Sequence, residues 1–539
     1  MSGCFAGIDV GTGSVRAGIF DAAGTLLASA KRDIRMWKEP GDIVEQSSDD
    51  IWQAVCASLR EALTASGVAP EAVKGIGFDA TCSLVVLGAE GRPIPVGRHG
   101  DAARNVIVWM DHRATGQADR INARGGRVLD YVGGTISPEM ETPKLLWLKE
   151  ELAETFDGAW QFLDLADFLT FKATGSLARS VCTVTCKWTY LAHEGRWDGD
   201  YFRAVGLGAL ADEGFSRIGT EIVAAGTPLG TGLTAPAAAE LGLAPGTAVA
   251  AGLIDAHAGG IGTVGAREAH SGDTTITVLN RMAYVFGTSA CTLLTTAEPV
   301  FVPGVWGPYF SAMVPDFWLN EGGQSAAGAA IDRLVRLHPA ASQASELARK
   351  DGTNLSIWLA RRAEEAGGAA AIAPLVGTLH VVPEFLGNRA PFADHLARGI
   401  IAGLGMDESL DSLTGLYMAG LAGIGYGLRQ ILNAQAAKGV RTDTVVVSGG
   451  AGQSPLVRQV LADAADVNIA GVRSPEPVLL GSAILGAVAS GHYDGFETAM
   501  RSMSQIEVVY APTAANRSWH ERRFKSFEAL QSVYRGLRD

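Results

Sequence analysis

The chain has 539 residues, 47% of them hydrophobic and 19% charged, the balance of a soluble globular protein, with 67 glycines that point to many turns and close backbone approaches. That length exceeds the roughly 250–300 residues at which a single core stops growing, so two or more domains are expected. A net charge of −13 argues against a general affinity for nucleic acid or anionic membranes, while leaving room for a nucleotide in a locally positive site.

The stretch Gly7 to Asp21, GIDVGTGSVRAGIFD, sets two apolar runs around a tight GTGS turn. Val15, Ala17, Ile19 and Phe20 continue as a strand and Asp21-Ala22-Ala23-Gly24 turns back, so the glycines make a hairpin and not the opening of a Rossmann helix; no GxxxxGK[ST] occurs anywhere. Backbone N–H groups of such a turn can cradle phosphates, which suggests a nucleotide site of the actin-like kind. Asp9 would face a hydrated metal, and Thr12, Gly13 and Ser14 the phosphate oxygens. An ordinary hairpin with a permissive Gly turn is the competing reading.

Next, Ser47 or Ser48 caps a helix with Asp49 and Asp50 in its first turn and an apolar face of Ile51, Trp52, Val55, Leu59 and Leu63. A buried strand, Val73 to Phe78, ends at Asp79, and a second one, Thr247 to Ile254, ends at Asp255 before the small-residue segment Ala256 to Gly265. Strands alternating with helices imply α/β domains. Ala283 to Leu294, AYVFGTSACTLL, repeats the plan of the first hairpin, and Asp443 to Gly452, DTVVVSGGAG, matches the place of the Gly75 to Asp79 strand. Two similar domains would let both hairpins converge on one set of phosphates, although glycine-rich α/β chains also produce such look-alikes by chance. A flexible crossing is expected at Gly259 to Gly265, which divides the chain into 1–262 and 263–539. The last stretch, Ser518 to Leu537, has helical spacing at Phe527, Leu530, Tyr534 and Leu537.

Six cysteines without a CxxC fit reduced thiols. Cys182 and Cys186, four apart, have no matching ligand pair and read as buried small side chains. The N-terminus has no signal-peptide pattern, and the longest apolar run, Val478 to Ala489, is too short and Gly-broken to span a bilayer, so a cytoplasmic protein without a membrane or nucleic-acid partner is expected.

Phosphoryl transfer to an alcohol needs in-line positioning, a carboxylate to take the hydroxyl proton, and donors and Mg²⁺ to hold the phosphate charge. Asp9, Asp79 and Asp255 end strands, where α/β domains usually bind ligands. Asp255, at the crossing between the hairpins, is the expected base, with a plain helix N-cap as its other reading.

The ordered series GIDVGTGSVRAGIFD, GIGFDATCSLVV, VIVWMDHRA, EMETPKLLWLKEE, DLADFLTFKATG, AGLIDAHAGG, FGTSA, NEGGQSAAGAAIDRL, PEFLGNRAP and VVVSGGAGQSPLVRQVLAD resembles the FGGY carbohydrate kinases from about residue 5 to about residue 500. Thr81 to Val85, WMDHRA and PKLLWLKE look most like the D-ribulokinase branch, which phosphorylates the C5 hydroxyl of D-ribulose with ATP. The resemblance implies an α/β fold of two actin-like (ribonuclease H-like) ATPase domains facing an interdomain cleft. It makes Asp255 the base, sets Asp9 and Asp255 near Mg²⁺, and places Thr12, Gly13, Ser14, Arg16, Gly287 and Thr288 by the ATP phosphates. Gly328, Gly449, Gly450 and Gly452 would frame the adenosine. For the sugar it points to Cys82, Lys187, Asp255 and Glu321, with Asp79 and Asp111 added, while His112 and His257 are assigned no catalytic part. Lys187 could also be a surface lysine lying on Trp188, Glu321 a turn carboxylate before Gly322-Gly323, and the glycines of Ser448 to Gly452 a plain turn.

Departures from the family pattern fall at Gly399 to Gly427, where Ala422 replaces a usual Glu, at Glu139 and Glu141, and at Gln453 and Ser454 in place of the usual Asn. The expected partners are ATP and a sugar, with a homodimer left open. The alternatives are a kinase for another pentulose or polyol (L-ribulose, xylulose, ribitol) and, further off, an actin/Hsp70-like switch ATPase.

Overall fold

The computed structural model describes residues 3–268 and 278–538. The expected helix starts where Ser47 caps it, its Oγ accepting from Asp50 N at 3.3 Å, and runs over Ser48–Ser66 to Gly67, whose φ of 66° ends it. Its apolar face, Ile51 to Leu63, is buried.

The first hairpin, Cys4–Val10 and Ser14–Asp21, lies at the centre of a sheet ordered Ala248–Val249, Val73–Ala80, Cys4–Val10, Ser14–Asp21, Leu26–Asp33. Cys4–Val10 pairs parallel with Val73–Ala80, setting Asp9 beside Asp79, and Leu253 pairs with Asp79 on the far side. Three strand ends therefore converge at the aspartates. The second half repeats the plan. Hairpin Arg281–Phe286 and Ala290–Thr296 sits in an eight-stranded sheet, and Arg281–Phe286 pairs parallel with Thr444–Ser448 as Cys4–Val10 does with Val73–Ala80. Two actin-like α/β domains thus face each other, and the duplication legible in the hairpins extends to strand order.

Two expectations change. Thr247 to Ile254 is not one strand but two short ones, Ala248–Val249 and Leu253–Ile254. Between them Ala251 N donates to Thr227 O and Gly226 N to Ala251 O, which draws the middle of the segment off the sheet. Gly259 to Gly265 is not a flexible crossing: Asp255–Ile261 is a helix, and Ala258 to Val264 are buried.

The glycines there permit close packing against the helix Pro477–Ala489, the apolar run noted above. A Cβ on Gly262 would lie 2.0 Å from Pro477 O, and one on Gly481 would lie 1.8 Å from Ala258 O. The Pro477–Ala489 helix, from the second half, packs against the first sheet so closely that a Cβ on Gly7 would meet Leu479 O at 2.0 Å and one on Gly75 would meet Gly486 O at 2.0 Å. The Asp255–Ile261 helix, from the first half, leans on the second sheet at Val285 and Leu293 and on Met313 in the turn before Trp318–Gln324.

In the final helix, Ala514–Gly536, Phe524 and Phe527 are buried, but Leu537 beyond its end is exposed, so the predicted face holds only for its first part. Among the described residues no helix is long and apolar enough to cross a membrane.

Candidate active site

The two hairpin turns open on a cleft of about 450 Å³ whose walls come from both halves. Of the residues predicted from sequence, Asp9, Thr12, Arg16, Cys82, Lys187, Asp255, Gly287, Thr288, Glu321, Gly449 and Gly450 line it. The cleft runs on, past the shared residues Gly287, Thr288, Gly450 and Gln453, into a larger groove of about 1060 Å³ that Gly328 lines. Gly328 also braces the second hairpin, its N–H donating to Gly287 O at 3.0 Å.

Five predicted residues do not line the cleft. Gly13 and Ser14 serve the turn: Gly13 O accepts from Ile34 N and Ser14 O from Gly11 N. Gly452 packs on Val447, whose Cγ1 would lie 2.2 Å from an added Cβ. Asp79 stands behind Asp9, buried. Asp111 is taken up by Arg113, through Nε at 2.8 Å and Nη2 at 2.7 Å, and by the N–H groups of Val44 and Arg113. Its acceptor capacity is spent on holding the loop, and Trp109, two residues earlier, reaches the cleft and donates from Nε1 to Thr12 Oγ1 at 3.0 Å.

At one end of the cleft Asp9, Asp79 and Asp255 gather around a single arginine. Arg16 lies 3.8 Å from Asp9 Oδ2 and is shared with Glu476, 3.0 Å away. Ser482 Oγ donates to Asp79 Oδ2 at 2.5 Å, and the raised Asp79 carboxyl shares a side-chain hydrogen bond with Asp9. Burial pushes all three carboxyls above their ordinary range, and the mutual repulsion of the aspartates adds to it at Asp9 and Asp79. Asp255 opens its helix as the first helical residue after Ile254, not as the N-cap, and its Oδ1 accepts from Ala256 N at 2.7 Å. Three converging carboxyls beside one arginine that is shared with Glu476 fit a hard divalent cation with oxygen ligands.

At the other end, Lys187 is buried on the helix Val181–Trp188 and not laid on the surface; its Nζ sits 4.7 Å from the Trp306 ring centroid. Glu321 belongs to the strand Trp318–Gln324, opposite Leu293, and not to a turn. Burial would raise Glu321, but Lys187 and His257 outweigh it and bring it down to about 2. The Cys82 thiol, raised by burial, stays protonated.

Sequence reasoning missed Trp306, Arg389, Glu139 and Glu476. Arg389 sits 5.3 Å from the Trp306 ring centroid and donates from Nη1 to Cys291 Sγ at 3.4 Å. It lines the cleft, with Glu139 and Glu321 near enough to favour its charged form. The PEFLGNRAP motif was the signal available for it. Cys182 and Cys186 are buried as expected, and their sulfurs lie with a His257 ring nitrogen inside 4.8 Å; among the described residues no fourth side-chain ligand joins them.

Profiles described as the FGGY family of carbohydrate kinases match this sequence, the N-terminal domain over residues 4–262 and the C-terminal domain over 282–490. An FGGY carbohydrate kinase domain-containing protein of Homo sapiens is 44% identical over 529 residues, 98% of this chain and 96% of its own. A D-ribulokinase of Saccharomyces cerevisiae is 38% identical over 517 residues, 91% of this chain and 72% of its own. The ligand-bound crystal structure of xylulose kinase from Lactobacillus acidophilus superposes with a TM-score of 0.78 at 18% identity, covering 98% of each chain, a likeness of fold.

Proposed function

Because this chain belongs to the FGGY family of carbohydrate kinases, we propose that it transfers the γ-phosphoryl group of ATP to a hydroxyl of a pentulose, D-ribulose foremost, with Asp255 as general base. The observation that carries this reading is the position of Asp255: it faces a cleft holding a phosphate-type carboxylate cluster at one end and the Lys187, Glu321 and Arg389 set at the other. A carboxylate raised by burial is a stronger proton acceptor than one in water, and it must lie beside the attacking hydroxyl to serve.

On this reading Lys187 and Arg389 donate to the carbonyl or hydroxyl oxygens of the sugar, and Glu321, ionised through the neutral range, accepts from a hydroxyl. Thr12, Gly287, Thr288, Gly449 and Gly450 lie along the triphosphate, with Arg16 as a charged donor. Gly328 and the groove beyond it take the adenosine. Asp9 and Asp255, with Asp79 behind them, would hold Mg²⁺, which when bound neutralises phosphate charge. The domain division that goes with this is 1–262 and 263–539, with the reservation that Pro477–Ala489 packs on the first sheet.

A coupled ADP assay with Mg-ATP across ketopentoses, polyols and glycerol tests the proposal. D-Ribulose is expected to raise ADP release above the sugar-free blank and above the other acceptors. If another pentulose or a polyol does so instead, the substrate assignment moves to it; if no sugar does, the switch-ATPase alternative gains.

The carboxylate cluster adds a pH dependence. Because burial and repulsion raise Asp9, Asp79 and Asp255, protons compete for these oxygens at a pH where ordinary carboxyls are fully ionised. The Mg²⁺ concentration for half-maximal turnover is therefore expected to climb as pH falls from about 8 to about 6, by at most about tenfold per unit for each proton displaced. A flat Mg²⁺ requirement over that span would remove these aspartates as metal ligands.

A further inference from the structure

We infer that His257 is a positioning residue that fixes Glu321 for the sugar, an inference that rests on the kinase reading above. His257 follows Asp255 by two residues on the same helix and is fully buried. Its Nε2 lies 3.3 Å from Glu321 Oε2, and its Nδ1 lies 3.0 Å from Cys182 Sγ and 3.3 Å from Ala312 O. With both ring nitrogens protonated, Nδ1–H donates to Cys182 Sγ and Ala312 O, and Nε2–H donates to Glu321. Glu321 then keeps its remaining lone pairs for a ligand in the cleft.

The chain of contacts joins three elements. Cys182 and Lys187 sit on one helix, His257 and Asp255 on another, and Glu321 on a strand of the second sheet. Ile254 N, just before Asp255, also points at Cys182 Sγ from 3.5 Å. The same sulfur thus steadies the entry to the Asp255 helix and, through the ring, the carboxylate across the cleft. A free carboxylate has rotatable bonds to lose on gripping a hydroxyl, and one held by a buried donor has already lost them. His257 therefore ties the orientation of the sugar-binding carboxylate to the helix that carries the base.

The test compares His257→Leu, which removes both ring contacts, with His257→Gln, which keeps an N–H donor for Glu321, using the acceptor that the wild type phosphorylates best. His257→Leu is expected to raise KM for the sugar about 10- to 100-fold, with KM for ATP unchanged; His257→Gln is expected to recover most of the sugar KM. Should His257→Leu fail to fold, Cys182→Ala removes the nearer of the two Nδ1 partners and leaves the ring, and a higher sugar KM is again expected. The inference is overturned by a sugar KM unchanged in the variants, or by equal rises in sugar and ATP KM with no recovery in His257→Gln. A wild type that phosphorylates no sugar overturns the kinase reading, and this inference with it; the two failures are told apart by the wild-type assay alone.

Discussion

Asp255→Asn is expected to lower kcat for sugar phosphorylation by about 10²–10⁴-fold, the range that a positioned general base supplies, while leaving sugar and Mg-ATP binding measurable. The amide matches the carboxylate in shape and can still accept the Ala256 N–H that Oδ1 takes at 2.7 Å. What it cannot do is take a proton from the attacking hydroxyl. Steady-state turnover by ADP release, set beside binding of ADP and sugar by calorimetry, separates the two, and near-normal kcat would remove Asp255 as base.

The same substitution carries a stability signature of opposite sign. Burial raises Asp255 above its ordinary value of 3.8, so the ionised form is held unfavourably in the fold. A raised carboxyl leaves stability intact below the unfolded pKa and removes it as pH climbs through the folded one. The ligand-free Asp255→Asn protein is thus expected to melt higher than wild type near pH 7, and the gap should close as pH falls toward about 4. A melting point lowered at neutral pH would mean that the amide disrupts packing, and the kinetic loss could not then be assigned to proton transfer.

Gly481→Ala should destabilise the protein by about 3 kcal/mol, at the upper end for forced overpacking, and raise KM for both substrates. The added Cβ would stand 1.8 Å from Ala258 O, a backbone atom that cannot rotate away, so the two crossing helices must separate. Those helices underlie Asp255 and the Glu476-Pro477 wall of the cleft, which would widen. Gly116→Ala is the control: a Cβ there meets nothing within 4 Å, and an alanine in a helix is favoured over glycine by about 0.5–1 kcal/mol. Thermal melting of the two variants decides the matter, and a Gly481→Ala midpoint equal to wild type would show that the crossing yields easily.

Much of the fold was legible because its signals are local. Alternating apolar runs around a Gly turn mark a hairpin whatever lies elsewhere, and finding the pattern twice exposed the duplication. Asp9 and Asp255 were legible for a related reason, since each ends an apolar run and strand ends in α/β domains face ligands, whereas Asp79, picked by the same rule, is buried behind Asp9.

The rest depends on pairings far apart in sequence. Arg389 and Trp306 meet over 83 positions, and the PEFLGNRAP motif around Arg389 marks it as notable without showing which ring or cleft it meets. Asp111 carried the right chemistry in the right motif, yet an arginine two residues on satisfies it. Glycine is the hardest residue to read, since one letter serves a turn at Gly13, a wall of the cleft at Gly450 and a backbone contact at Gly481. Lys187 and Glu321 each had a surface or turn reading that only burial could dismiss.

The helix Pro477–Ala489 has a bearing on how the chain is made. Its Leu479, Leu480 and Ala483 pack with Phe5 and Phe20 of the first strands in one core. During synthesis the opening strands leave the ribosome more than 400 residues before that helix does, so one apolar face of the first sheet waits uncovered until the helix emerges. The first half therefore cannot complete its folding as it emerges, and any cut between the halves strands an exposed face on one fragment and an unpartnered helix on the other.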